Sequence, residues 1–266
     1  MRAWWELYKK EINSLAFFTT VVLLLVFSWE LFLFYKASSW PLGLSFGLSF
    51  LPFSLFSVLI LWLGYNGFRQ EWKDDTNYFL LSLPRRGWEL TLAKLAAGMT
   101  FLLVVTLVTT GLIYLFQKDF INYVLGQTSN IGLEEFATES DMRIKEFAYE
   151  SVWKTLLSFW VSSLAVYIIT QFSQLISLFF DRFRGFITIV VFIFTNYFIY
   201  RGATLLSVLF NWLPDFPVRM VNEVGNAGYI NDYTFHLGSG PIAALVVLLI
   251  GIFFFGSWVL EHHLEV

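Results

Sequence analysis

Two apolar runs, FLPFSLFSVLILWLGYNGF (50–68) and LAAGMTFLLVVTLVTTGLIYLF (95–116), flank one polar segment, RQEWKDDTNYFLLSLPRRGWELTLAK (69–94). Each run is long enough to cross a hydrocarbon layer of about 30 Å as a helix. A backbone in lipid must satisfy its own hydrogen bonds, and a run that is apolar all round does so as a helix. The pattern repeats along the 266 residues, giving six expected spans at roughly 15–35, 48–68, 93–116, 152–178, 186–210 and 240–260. Composition agrees. Hydrophobic residues make up 57% and charged residues 14%, the latter well below the quarter usual in soluble domains. The expected fold is therefore an all-α polytopic membrane protein forming a single transmembrane domain.

The chain has no cysteine, which removes disulfides, thiol catalysis and thiolate metal sites. Three histidines, two of them adjacent at 262–263, make no convincing metal site. No cofactor is expected in this chain, and no catalytic residues. A net charge of −3 says little about a membrane protein, and its placement says more; no nucleic-acid partner is expected. The first 14 residues, MRAWWELYKKEINS, lack the basic-then-apolar order of a signal peptide.

Lysine and arginine set the expected orientation. Segments 1–14, 69–94 and 180–185 carry Arg2, Lys9, Lys10, Arg69, Lys73, Arg85, Arg86, Lys94, Arg182 and Arg184. The positive-inside rule places these segments, and both termini, in the cytoplasm. The chain is then a multi-pass protein of the cell membrane, here a bacterial plasma membrane. Loop 117–151, with Glu134, Glu135, Glu139 and other acids, falls outside. The first 14 residues read as an amphipathic helix at the membrane surface. Trp4 and Trp5 suit the headgroup level, and Lys9 and Lys10 can meet anionic lipid. The plainer alternative is an anchor with no further role.

The segment 69–94 carries more pattern than a connection needs. Phe68, Trp72, Tyr78, Phe79 and Leu80 form an apolar set, while Arg69, Glu71, Lys73, Asp74 and Asp75 supply charge suited to the polar rim of a partner. Pro84 stops a helix at or before Leu83. The alternative is a solvated topology signal. An amphipathic start with Lys9-Lys10-Glu11, two spans, then Glu71, Thr76 and LLSLP (80–84) with Arg85 and Arg86, and Lys94 opening span 3, resembles the permease subunits of ABC-type-2 (type V, exporter-like) ABC transporters. Asp75 departs from that family, in which many members carry Gly before the Thr. The resemblance implies that the loop after span 2 is a coupling helix seated in a cytoplasmic ATPase subunit. It further implies a permease dimer, homomeric or heteromeric, with ATP and Mg held by the partner ATPase. On that resemblance Arg69, Glu71, Trp72, Asp74, Asp75, Tyr78, Pro84, Arg85 and Arg86 are the ATPase-coupling residues. The motor must be external, because no G-x-x-x-x-G-K-[ST] loop occurs and no Gly-Lys pair exists.

Polar residues inside spans mark function or glue. Ser163, Tyr167, Thr170, Gln174 and Ser177 recur at steps of three and four, on one face of span 4. That face lines a translocation path or a dimer contact, or it glues helices by hydrogen bonds. Glu30 is the carboxylate of span 1, either an interfacial acid with water access or a buried partner of Arg201. The apolar stretch 203–212 reads as a short re-entrant or surface helix, and His236 as a surface residue. The expected function is a permease exporting an amphipathic or hydrophobic cargo (peptide, lipid or drug). The alternatives are a secondary transporter and an intramembrane enzyme.

Overall fold

The computed structural model describes residues 2–37, 39–73, 86–118, 134–180, 182–224 and 229–262. Its main helices are α1 (Arg2–Lys36), α2 (Leu42–Ser49), α3 (Leu51–Lys73), α4 (Gly87–Phe116), α5 (Glu134–Ser177), α6 (Arg184–Ser207) and α7 (Ser239–His262). Six helices are long and apolar enough to cross a membrane: Trp4–Lys36, Leu44–Lys73, Gly87–Phe116, Trp153–Ser177, Arg184–Phe210 and Ser239–His262. The all-α polytopic class expected from hydropathy is the observed one.

Several boundaries differ from expectation, each for a physical reason. No Gly or Pro lies between Arg2 and Lys36, so nothing stops the hydrogen-bond ladder and α1 is continuous. The amphipathic start is the first part of the same helix as span 1, not a separate interfacial helix. At span 2 the chain breaks at Phe50, between α2 and α3, where Pro52 opens the new helix. The last turns of α3 run through Arg69, Glu71 and Trp72 to Lys73, so these residues belong to the span helix. The middle of the expected coupling segment, with Asp74, Asp75, Tyr78, Pro84 and Arg85, lies outside the described residues. Helix α5 starts at Glu134, within the expected loop 117–151, and runs for 44 residues. At 1.5 Å per residue it spans about 66 Å, twice a hydrocarbon core. The stretch 203–212 forms no separate helix. It completes α6 and passes into a 3₁₀ turn, Val208–Phe210. Beyond it the chain adds an antiparallel hairpin, β1 (Phe216–Val224) on β2 (Tyr229–Leu237), with Phe216 opposite Leu237 and Asn222 opposite Asn231. Val, Tyr, Thr and Phe in these strands favour the pleated form, and Pro217 near the end of its strand is tolerated there.

The chain divides into two compact units, Met1–Tyr167 and Ile168–Val266. In the first, α1 and α4 pack most extensively and run parallel: Glu11 meets Lys94, Phe18 stacks on Phe101, and Phe34 approaches Phe116. Helix α3 runs the other way against them, with Trp62 on Phe18 and Phe56, Ile60 and Leu63 in the core. That core also holds Val22, Val26, Phe101, Leu102, Val105 and Tyr167. The α5 segment is tied to α4 by Trp160, whose Nε1 donates to Thr106 Oγ1 at 3.2 Å. In the second unit α6 packs on α7, and Phe172 of α5 meets Phe255 of α7.

Candidate functional site

Where α3 ends and α4 begins, four charged side chains from three helices alternate in sign. Lys94 Nζ lies 2.7 Å from Glu11 Oε1 and 3.2 Å from Glu71 Oε1. Lys10 Nζ reaches the same Glu71 oxygen at 3.3 Å. The Lys94 side chain is 4% exposed, Glu71 10% and Glu11 20%, whereas Lys10 keeps 55%. An isolated charge at such burial costs several kcal/mol, and these four offset one another to a net of zero. The Lys94 ammonium also lies 5.4 Å from the Phe68 ring centre, over its electron-rich face.

Two hydrogen bonds brace the node. Tyr8 and Thr100 share a 2.9 Å bond between α1 and α4. Tyr167 donates from its hydroxyl to the backbone oxygen of Lys94 at 3.1 Å. Gly98 makes that second bond reachable. A Cβ there would sit 2.6 Å from Tyr167 Cε2, closer than side-chain atoms approach one another. Beside the node opens a pocket of about 250 Å³, lined by Lys10, Ser14, Trp62, Asn66, Gln70 and Tyr167 among others. That is just under the 300–1,000 Å³ of ordinary small-molecule sites.

The expected site residues separate into groups. Glu71 is buried in the node, so it does not present its charge to a partner's rim; its place on the inward stripe of α3 turns it toward Lys94. Trp72 packs edge-on to Phe68, with ring centres 6.5 Å apart. Arg69 is exposed and lies over Tyr65 at 5.0 Å. Arg86 is exposed and caps the start of α4 in extended conformation. At the other margin, Lys10 joins the node, Lys9 pairs with Glu6 at 3.3 Å, and Trp4 and Trp5 both stack on Tyr8. The pairing of Glu11 with Lys94 and the burial of Lys94 escaped the sequence reading. The signal was present in the spacing. Lys94 falls in step with Leu90, Ala97 and Phe101, which are core positions of α4.

The five residues of the span 4 face are all buried, from Ser163 at 5% to Ser177 at 0% exposed, so the chain itself covers this face. Gln174 Oε1 accepts from Thr188 Oγ1 at 3.1 Å, joining α5 to α6, and from Ser177 at 3.4 Å. For Gln174 the gluing alternative is the observed arrangement. Glu30 is fully buried, which replaces the expected interfacial acid with water access. Arg201 is exposed and lies 5.6 Å from the Tyr197 ring centre. His236 is exposed. No group of three or more His, Asp or Glu suited to a metal ion occurs among the described residues. Comparisons with protein-family models, curated proteins and solved structures find no match to this chain.

Proposed function

We propose that this chain is the permease subunit of an ATP-driven ABC exporter, coupled through its 69–94 segment to a separate cytoplasmic ATPase. The observation that carries the reading is the charge node. Glu71 ends one arm of the 69–94 segment, Lys94 begins the other, and both are tied to Lys10 and Glu11 of α1. A push on the segment from a docked subunit would therefore reach α1, α3 and α4 together. A rigid element with alternative pairings is what coupling between a motor and a bundle requires. The absence of a phosphate-binding loop assigns ATP hydrolysis to the partner. In this reading both termini are cytoplasmic, the permease works as a pair, and the cargo is amphipathic or hydrophobic.

The test is composition and activity of the native assembly. The tagged chain, isolated in mild detergent from its own membranes, is expected to bring down a P-loop ATPase in equal amount, with vanadate-sensitive ATP hydrolysis. The near-isosteric E11Q, which removes one negative charge from the node, should lower transport-linked hydrolysis while leaving the assembly in place. A folded chain that purifies alone, without a P-loop subunit or ATP hydrolysis, would overturn the proposal. The field would then pass to a secondary transporter or an intramembrane enzyme.

A further inference from the structure

Beside the charge node, α1 and α3 leave a graded cleft between them. The two helices run antiparallel, so Lys10 meets Glu71 at one level and Phe18 meets Trp62 at another, with ring centres 4.9 Å apart. From Lys10 to Phe18 is about 12 Å along α1 at 1.5 Å per residue. The pocket of about 250 Å³ opens along this stretch, lined from α1 by Lys10, Glu11, Ser14 and Leu15 and from α3 by Trp62, Asn66 and Gln70. Charged residues end at this level: none occurs between Glu11 and Glu30 in α1, between Leu51 and Phe68 in α3, or between Lys94 and Phe116 in α4. The cleft therefore sits where the chain passes from headgroups to hydrocarbon. Its polar walls are uncommitted. Elsewhere the spans satisfy such groups on their own backbone: Thr19 Oγ1 donates to the Leu15 carbonyl and the Asn196 amide to the Phe192 carbonyl, both at 2.8 Å. Ser14, Asn66 and Gln70 make no side-chain hydrogen bond among the described residues. Lys10 spends one of its three hydrogens on Glu71, and Glu11 one of its two oxygens on Lys94. Gly67, in the α3 wall, would accept a Cβ at an ordinary 3.8 Å from Tyr167 Oη; glycine there weakens the helix and keeps the pocket wide.

We propose that this cleft binds the phosphoethanolamine headgroup of a membrane phospholipid, a phosphate diester that carries a primary ammonium. Charge selects it. The two lysines and two carboxylates of the node sum to zero, which suits a zwitterion better than a headgroup with a net negative charge. Lys10, 55% exposed, and the amides of Asn66 and Gln70 are donors for the phosphate. The second Glu11 oxygen accepts from the ammonium, a bond that a quaternary choline has no hydrogen to make. Leu15 and Trp62, the latter 45% exposed, meet the start of the acyl chains. Water would satisfy the polar end alone and leave this apolar end uncovered. The site needs α1, α3 and α4 in a bilayer and no motor subunit.

The experiment is native mass spectrometry of the purified full-length chain, delipidated and titrated with lipids of identical acyl chains. The probes are phosphatidylethanolamine, its N-methyl and N,N-dimethyl forms, phosphatidylcholine and phosphatidylglycerol. Wild type is expected to hold phosphatidylethanolamine about tenfold more tightly than phosphatidylcholine, the worth of one hydrogen bond to a charged group, with the methylated forms between. E11Q should bind phosphatidylethanolamine and phosphatidylcholine alike. N66L, at a half-buried position, removes a donor and fills the cleft, and should lose the preference too. Soluble glycerophosphoethanolamine, which lacks acyl chains, should displace the lipid only at far higher concentration. If E11Q fails to elute as a monodisperse particle, N66L and the methylation series on wild type decide the matter. Three results overturn the proposal. One is phosphatidylcholine or phosphatidylglycerol held by wild type as tightly as phosphatidylethanolamine. Another is a preference that survives N66L or a folded E11Q. The third is displacement by the soluble headgroup at equal concentration, which would make the ligand a solute rather than a lipid.

Discussion

Removing Lys94 tests whether the node is one electrostatic unit. In K94M the side-chain volume is kept while the +1 charge at the centre is lost. Glu71 retains Lys10 at 3.3 Å, but Glu11 loses the cation that held it at 2.7 Å. Breaking a buried pair by deleting one partner costs about 3–5 kcal/mol. The lower end applies, because Glu11 is 20% exposed and part of its charge is relieved by water. About 3 kcal/mol corresponds to a fall of roughly 6–12 °C in the unfolding midpoint for a chain of this size. The second step is sharper. Adding E11Q to K94M restores neutrality, since Glu71 and Lys10 balance each other. The double variant should recover about 2 kcal/mol, although it carries one more substitution, because unpaired charge costs more than a missing pair. Thermal unfolding of the detergent-solubilised chain, followed by tryptophan fluorescence and by size-exclusion after heating, reads both steps. If K94M unfolds no earlier than E11Q alone, or if the double variant is worse than K94M, the four charges do not act together.

Three further outcomes follow from the packing. G98A places a Cβ 2.6 Å from Tyr167 Cε2, so the ring must move off the Lys94 carbonyl; a loss of about 1–3 kcal/mol is expected, whereas G111A, with nothing within 4 Å, should gain up to about 1 kcal/mol in the same unfolding assay. Q174L removes the acceptor for Thr188, which still bonds the Arg184 carbonyl at 2.9 Å, so heat resistance should fall by only about 0.6 kcal/mol, the average for such bonds between membrane helices. In this cysteine-free chain, K73C should be silent to an impermeant thiol reagent on intact cells and W212C labelled, since the proposed orientation puts the end of α3 inside and the turn after α6 outside; the reverse pattern would invert the topology.

Hydropathy made the six long helices legible, because a run of about 20 apolar residues has few other fates. It could not place the helix ends, for the ends are set by caps and tertiary contacts. The α3 helix continues to Lys73 because Glu71 has partners inside the bundle, and a sequence window sees only a polar residue after an apolar run. The hairpin at 216–237 was missed for a related reason. Its strands do not keep a clean apolar–polar alternation, with Asn222 and Glu223 adjacent in β1 and Asn231 and Asp232 adjacent in β2, and beside a Gly- and Asn-rich stretch of sequence they read as loop. The charge node was hidden by the positive-inside rule itself, which treats every lysine near a span as a topology signal. Lys94 is spent on Glu11 and Glu71, and its own place in the core stripe of α4 was the better guide.

The two inward carboxylates of α1 lie on one helix face. Glu11, Leu15, Phe18, Val22, Val26, Glu30 and Leu33 follow one another at steps of three and four, so all seven lie on one stripe. Val22, Val26 and Leu33 of that stripe are buried in the bundle, and Leu15 and Phe18 pack against it. A carboxylate on such a stripe is turned inward by its neighbours whatever its own preference, and the protein must then supply something positive. At Glu11 the supply is Lys94, built into α4, which packs against α1. At Glu30 the neighbouring polar group is the uncharged hydroxyl of Ser49 on α2. Two acids held inward by the same periodicity thus meet different chemistry.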